Sequence, residues 1–120
     1  MLRWIKKLIR EKPKMNIQQK NIDEVYALYN KKPKDYVFID VRQPEEWADG
    51  TIPGITRIML SELPQHLETL DKHKTYVMVC RSGARSGRAC EAMAQAGFTQ
   101  TLNFSGGMLS WYERQYPLEK

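Results

Sequence analysis

Apolar positions along this chain switch between a period of two and a period near 3.6, and the switches mark alternating strands and helices. MNIQQ (15–19) predicts a short first strand, and Asn21 caps a helix that carries Ile22, Val25, Leu28 and Tyr29. After the turn NKKPKD, the apolar run YVFIDV (36–41) predicts a strong strand. RQPEEWADG reads as a loop with one helical turn after Pro44, and ITRIML (55–60) as a weaker strand. SELPQHLETL predicts a helix with Ser61 as cap, Pro64 in its first turn, and Leu63, Leu67 and Leu70 on one face. TYVMVC (75–80) is the second strong strand, and RSGRACEAMAQAG (85–97) an alanine-rich helix that Gly97 ends. TLNF (101–104) predicts a last short strand, and after SGG a helix carries Met108, Leu109, Trp111 and Tyr112. Repeated strand and helix imply an α/β fold with a largely parallel sheet, one domain over residues 15–120.

Composition adds limits to this picture. With 120 residues, 42% hydrophobic and 28% charged, the chain has the make-up of an ordinary single globular domain. No apolar run approaches the roughly 20 residues of a membrane span, and no continuous apolar segment follows the basic N-terminus as a signal peptide requires. Two cysteines are too few for a disulfide scaffold, so a reducing, cytoplasmic setting is expected.

The net charge of +5 suggests nucleic acid until it is located. Residues 1–14 hold Arg3, Lys6, Lys7, Arg10, Lys12 and Lys14 against Glu11 alone, which leaves the rest of the chain 13 of the 19 basic and 13 of the 14 acidic side chains. The body is neutral, and the expectation is that it binds no nucleic acid. In residues 1–14, Met1, Leu2, Trp4, Ile5, Leu8 and Ile9 fall within an arc of about 160° on a helix that Pro13 stops. Three readings of this amphipathic extension stay open: peripheral contact with a membrane surface, packing on the domain or on a second copy, or a cleaved organellar targeting peptide, which its short length and lack of serine disfavour.

The candidate chemistry lies in CRSGARS, Cys80 to Ser86. Ligands of parallel sheets sit beyond the carboxyl ends of strands, where helices begin, and that rule places Cys80 in the site. Gly83 permits the tight turn into the helix, and such a loop can aim the N–H groups of Arg81, Ser82, Gly83, Ala84 and Arg85 inward as an anion nest. That field stabilises a thiolate without a histidine base. Arg81 and Arg85 add charge and can grip oxyanions through paired hydrogen bonds. Read without the loop, Cys80 would be a buried strand-end cysteine; the glycine and arginines argue against that. Cys90, mid-helix among Ala89, Met93 and Ala94, reads as a small core residue.

DVRQPEEW (40–47), GTIPG (50–54), CRSGARS (80–86) and SGGMLSW (105–111) follow one another in the order and spacing of single-domain rhodaneses. The chain resembles that family over about residues 16–116. The resemblance implies a rhodanese-like, five-stranded, mainly parallel sheet flanked by helices. It also implies sulfur transfer through a persulfide on Cys80, with Arg81 to Arg85 as the sulfur cradle. Asp40 and Arg42 match a strand-end pair beside that loop, with Ser86 as a further supporting residue; a structural salt bridge suits Asp40 and Arg42 at least as well as a catalytic role. No metal and no cofactor is expected. The implied partners are a small sulfur donor such as thiosulfate and a thiol or protein acceptor.

Two departures stand out. The family's usual histidine in the GHIPG turn is Thr51 here, which should change loop hydrogen bonding rather than competence. Thiolate phosphatases place five residues between cysteine and arginine, whereas here four separate Cys80 from Arg85. A ring that small favours sulfur over a phosphoryl group. A phosphatase or arsenate reductase on the same fold, and a persulfide carrier or redox-sensing module without turnover, are the competing functions. Glu45 and Glu46 read as a solvated loop face, Trp47 and Trp111 as core or rim packing, and His66 and His73 as solvated.

Overall fold

The structure is a computed structural model that describes residues 17–120. The helix expected over residues 1–14 and the first two residues of the expected first strand lie outside the described residues.

Five short strands form one sheet: β1 (Ile17–Lys20), β2 (Tyr36–Asp40), β3 (Thr56–Arg57), β4 (Thr75–Val79) and β5 (Thr101–Phe104). Their order is β1-β5-β4-β2-β3, and every pairing is parallel. The helices are α1 (Ile22–Lys31), α2 (Pro44–Trp47), α3 (Leu63–His66), α4 (Ala84–Gln95) and α5 (Gly107–Glu113). Among the described residues no helix is long and apolar enough to cross a membrane.

All five residues of β4 are buried, because the strand lies inside the sheet with both faces covered. Its alternation sorts the core into two layers. Tyr76, Met78 and Cys80 join Leu63 of α3 and Ala89, Cys90 and Met93 of α4 on one side. Val77 and Val79 join Val25 of α1 and Met108 and Trp111 of α5 on the other. Each fully buried valine or methionine there contributes about 1.5–3 kcal/mol. Trp111 is wholly buried, so the packing expectation for it holds. Tyr26, Tyr29 and Tyr116 meet its ring edge-on, and its indole N–H donates to the Pro117 carbonyl at 2.8 Å.

Local chemistry sets most boundaries. Asn21 and Glu24 form a reciprocal capping box at the start of α1. Gly97, at φ +96°, follows α4 where a left-handed residue ends a helix. The weakest elements depart most from expectation. ITRIML is regular strand over Thr56 and Arg57 alone, although the N–H groups of Ile58 and Leu60 still donate to the Asp40 and Val41 carbonyls at 3.1 and 3.0 Å. The helix expected from Ser61 is the four-residue α3, capped at Glu62 without a side-chain hydrogen bond. Pro64 cannot donate to a longer first turn, and the chain continues in turns through Leu70.

Candidate active site

The strand β4 ends at Val79, one residue short of expectation, and Cys80 opens the loop to α4. Gly83, the residue before α4, has φ +96°, a conformation that favours glycine. A Cβ there would also strike the backbone of Ser105. The turn folds back on the Cys80 side chain: the Gly83 N–H donates to Sγ at 3.1 Å, and the Ser86 hydroxyl lies 3.2 Å from Sγ. Burial pushes the Cys80 thiol up. The Ser86 hydroxyl and the N–H groups of Ser86, Ser82 and Gly83 outweigh it and bring the thiol below its ordinary value.

Residues that sequence reasoning gave no role hold this loop. The Ser86 hydroxyl lies 2.6 Å from Asn103 Oδ1, and its single proton serves either that oxygen or the Cys80 thiolate, while Asn103 Nδ2 donates to the Gly83 carbonyl at 3.1 Å and to Gln19 at 2.9 Å. A polar residue in the buried strand TLNF was the available signal, since such a group needs partners. From the other side, the N–H groups of Met108 and Leu109 donate to the carbonyls of Cys80 and Arg81 at 2.8 and 3.1 Å. Gly107 permits that approach, because a Cβ on it would collide with the Arg81 carbonyl. The SGG turn therefore braces the cysteine loop.

The two arginines separate. Arg81 is exposed and, among the described residues, has no carboxylate partner. Arg85 instead makes a two-pronged pair with Glu46 of α2, Nη1 to Oε1 at 2.6 Å and Nη2 to Oε2 at 2.8 Å. Those bonds hold the Glu46 carboxyl down at about 2 against the opposing effect of burial. The reading of Glu46 as solvated is thus corrected: its side chain is only 23% exposed and is committed to Arg85. Glu45 does stay exposed. A glutamate beside a helical turn carries no local sign of a partner 39 residues away.

Asp40 and Arg42 form a second ion pair, buried beneath the loops. Arg42 Nε reaches both carboxylate oxygens at 3.0 and 3.1 Å, and Nη2 adds a bond of 2.9 Å. Nη1 donates to the Tyr112 hydroxyl and Nη2 also to the Gly50 carbonyl, each at 3.0 Å. Burial pulls the guanidinium down, and the bonds and charge of Asp40 outweigh it. With its donors engaged in this way, Arg42 acts as a clamp between the strand end and the GTIPG turn. Thr51 in that turn is also committed, exchanging backbone hydrogen bonds of 2.8 Å with Glu119 and accepting from Arg57 at 3.0 Å.

Cys90 sits in the same apolar cluster as Cys80. Burial pushes its thiol up to about 12, and the Thr101 hydroxyl, which makes no hydrogen bond of good geometry, opposes this only in part.

Known proteins are similar to this chain in sequence and in fold. YtwF of Bacillus subtilis, which bears a provisional sulfurtransferase name, is 45% identical over 78 residues, 65% of this chain and 75% of that one. A protein of Allochromatium vinosum named as a sulfurtransferase is 34% identical over 85 residues, 71% of this chain and 79% of that one. The solved structure of a Rhodopseudomonas palustris protein, described as of unknown function and a possible tyrosine phosphatase, superposes with a TM-score of 0.76 at 27% identity, covering 86% of this chain and 85% of that one. The family model for the rhodanese-like domain matches residues 21–114, from the cap of α1 to the end of α5 and with the whole cysteine loop inside it. The chain belongs to the rhodanese-like domain family.

Proposed function

We propose that the protein is a sulfurtransferase that carries sulfane sulfur as a persulfide on Cys80. One observation carries this reading: Sγ of Cys80 lies inside its own loop, 3.1 Å from the Gly83 N–H and 3.2 Å from the Ser86 hydroxyl. Inward N–H groups stabilise the attacking thiolate and afterwards the terminal sulfur of the persulfide, which takes its place as the anion. The Cys80 thiolate attacks the outer sulfur of a donor such as thiosulfate. A new S–S bond forms, the donor's S–S bond breaks, and its electron pair leaves with sulfite. A thiolate acceptor then attacks the outer sulfur and regenerates the Cys80 thiolate, so charge and electrons balance with no external oxidant. The names of the relatives support sulfur transfer, and the four residues between Cys80 and Arg85 support it over phosphoryl transfer.

Mass spectrometry tests the reading. After thiosulfate treatment the intact protein should gain the mass of one sulfur atom, located on the Cys80 peptide and removed by cyanide or a thiol. Added sulfur on Cys90, or no added sulfur together with hydrolysis of a phosphate ester, would overturn it.

A further inference from the structure

Within the cysteine loop the two guanidinium groups carry equal formal charge, but among the described residues only Arg85 has a carboxylate partner. Arg85 is paired through two nitrogens to Glu46, with side chains 27% and 23% exposed, so the pair is partly shielded from solvent. Arg85 belongs to the same loop as Cys80, with four residues between them, so its partner carboxylate is held against that loop. Asp40 and Arg42 cancel each other below. Among the described residues Arg81 is therefore the arginine of this loop that no carboxylate neutralises.

We infer that Glu46 is a specificity residue which, by occupying Arg85, biases the site toward sulfane donors of one negative charge, the thiosulfonate and persulfide class, over dianionic thiosulfate. The inference rests on the sulfur-transfer reading and names the donor class within it. Attack on thiosulfate brings a thiolate against a dianion, three negative charges in all; attack on a thiosulfonate brings together two. In each case the thiolate bonds to the outer sulfur while the old S–S bond releases its electron pair, to sulfite from thiosulfate, to a sulfinate from a thiosulfonate and to a thiolate from a persulfide. Coulomb energies scale with the product of charges, so one added carboxylate at the rim opposes the dianion about twice as strongly as the monoanion. An arginine already paired through two of its donors to a carboxylate offers less net charge to offset that.

The experiment compares thiosulfate with methanethiosulfonate as donors, cyanide as acceptor, in three proteins. Glu46→Gln keeps an acceptor for Arg85 and for the Gln43 N–H, but removes the charge. It should raise kcat/KM for thiosulfate by about tenfold and for methanethiosulfonate by about threefold, mainly through KM, and the preference should shift least at high salt. Glu46→Asp keeps the charge while shortening the side chain, so it should leave the ratio of the two donors near that of the unaltered protein whatever it does to absolute rates. A ratio unchanged in Glu46→Gln, or shifted equally in both variants, would overturn the inference and leave the pair a loop brace. Absence of turnover with both donors in the unaltered protein would instead overturn the sulfur-transfer reading.

Discussion

Cys80 and Cys90 are the same chemical group, 1% and 0% exposed, in one apolar cluster. Their acidities are nevertheless driven in opposite directions, below the ordinary thiol for Cys80 and up to about 12 for Cys90. Burial raises both, so burial is not what tells them apart. The difference lies in the backbone. Cys80 sits where a strand turns into a helix and the N–H groups of that turn have no intrahelical partner. Cys90 sits mid-helix, where the neighbouring N–H groups are spent on the helix itself. A thiol becomes a candidate nucleophile here through unspent donors.

The largest break in this contrast is expected in catalysis. Cys80→Ser should abolish thiosulfate:cyanide sulfur transfer, while Cys90→Ala should keep most of it, measured by steady-state assay. Substantial turnover in Cys80→Ser would mean that the sulfur travels elsewhere. A smaller effect should sharpen the contrast by removing one donor. Ser86→Ala deletes the hydroxyl 3.2 Å from the sulfur, and a hydrogen bond to a charged group is worth about 1.5–3 kcal/mol. Alkylation of Cys80 by iodoacetamide at neutral pH should slow by roughly tenfold or more, with the rate profile moved to higher pH. An unmoved profile would leave the backbone N–H groups as the whole cause.

The smallest expected effect belongs to Cys90. Its thiol ionises at about 12 in the folded protein against 9.0 for an ordinary thiol, so above pH 9 the unfolded chain releases a proton that the folded one keeps. Stability contributed by the neutral thiol is complete below that value and is lost as pH rises toward 12. In urea titrations the alkaline loss of stability should be shallower in Cys90→Ala than in the unaltered protein. Equal slopes would show that Cys90 ionises freely in the native state.

How much of this was legible beforehand depends on how far apart the interacting groups stand. The strands YVFID, TYVMV and TLNF, the capped helix at Asn21 and the helix after the cysteine loop are written in local periodicity, where neighbours along the chain share one environment. The position of Cys80 at a strand end and the turn at Gly83 were legible for the same reason. Edge strand β3 and helix α3 were read too long, because the extent of a short element is set by its few tertiary neighbours rather than by its own pattern.

The sequence by itself determined the layered α/β order and a thiol inside a loop of donors, since both follow from contacts within a few residues. The tertiary structure decided which polar groups answer one another. Only folding brings Glu46 to Arg85, Asn103 to Ser86, and the Gly107 turn against the Arg81 carbonyl. A carboxylate or amide shows the same local pattern whether it meets water or a partner. Its partner is fixed by which loops the parallel sheet gathers at one end, and that depends on strand order, a property no short stretch of the chain contains.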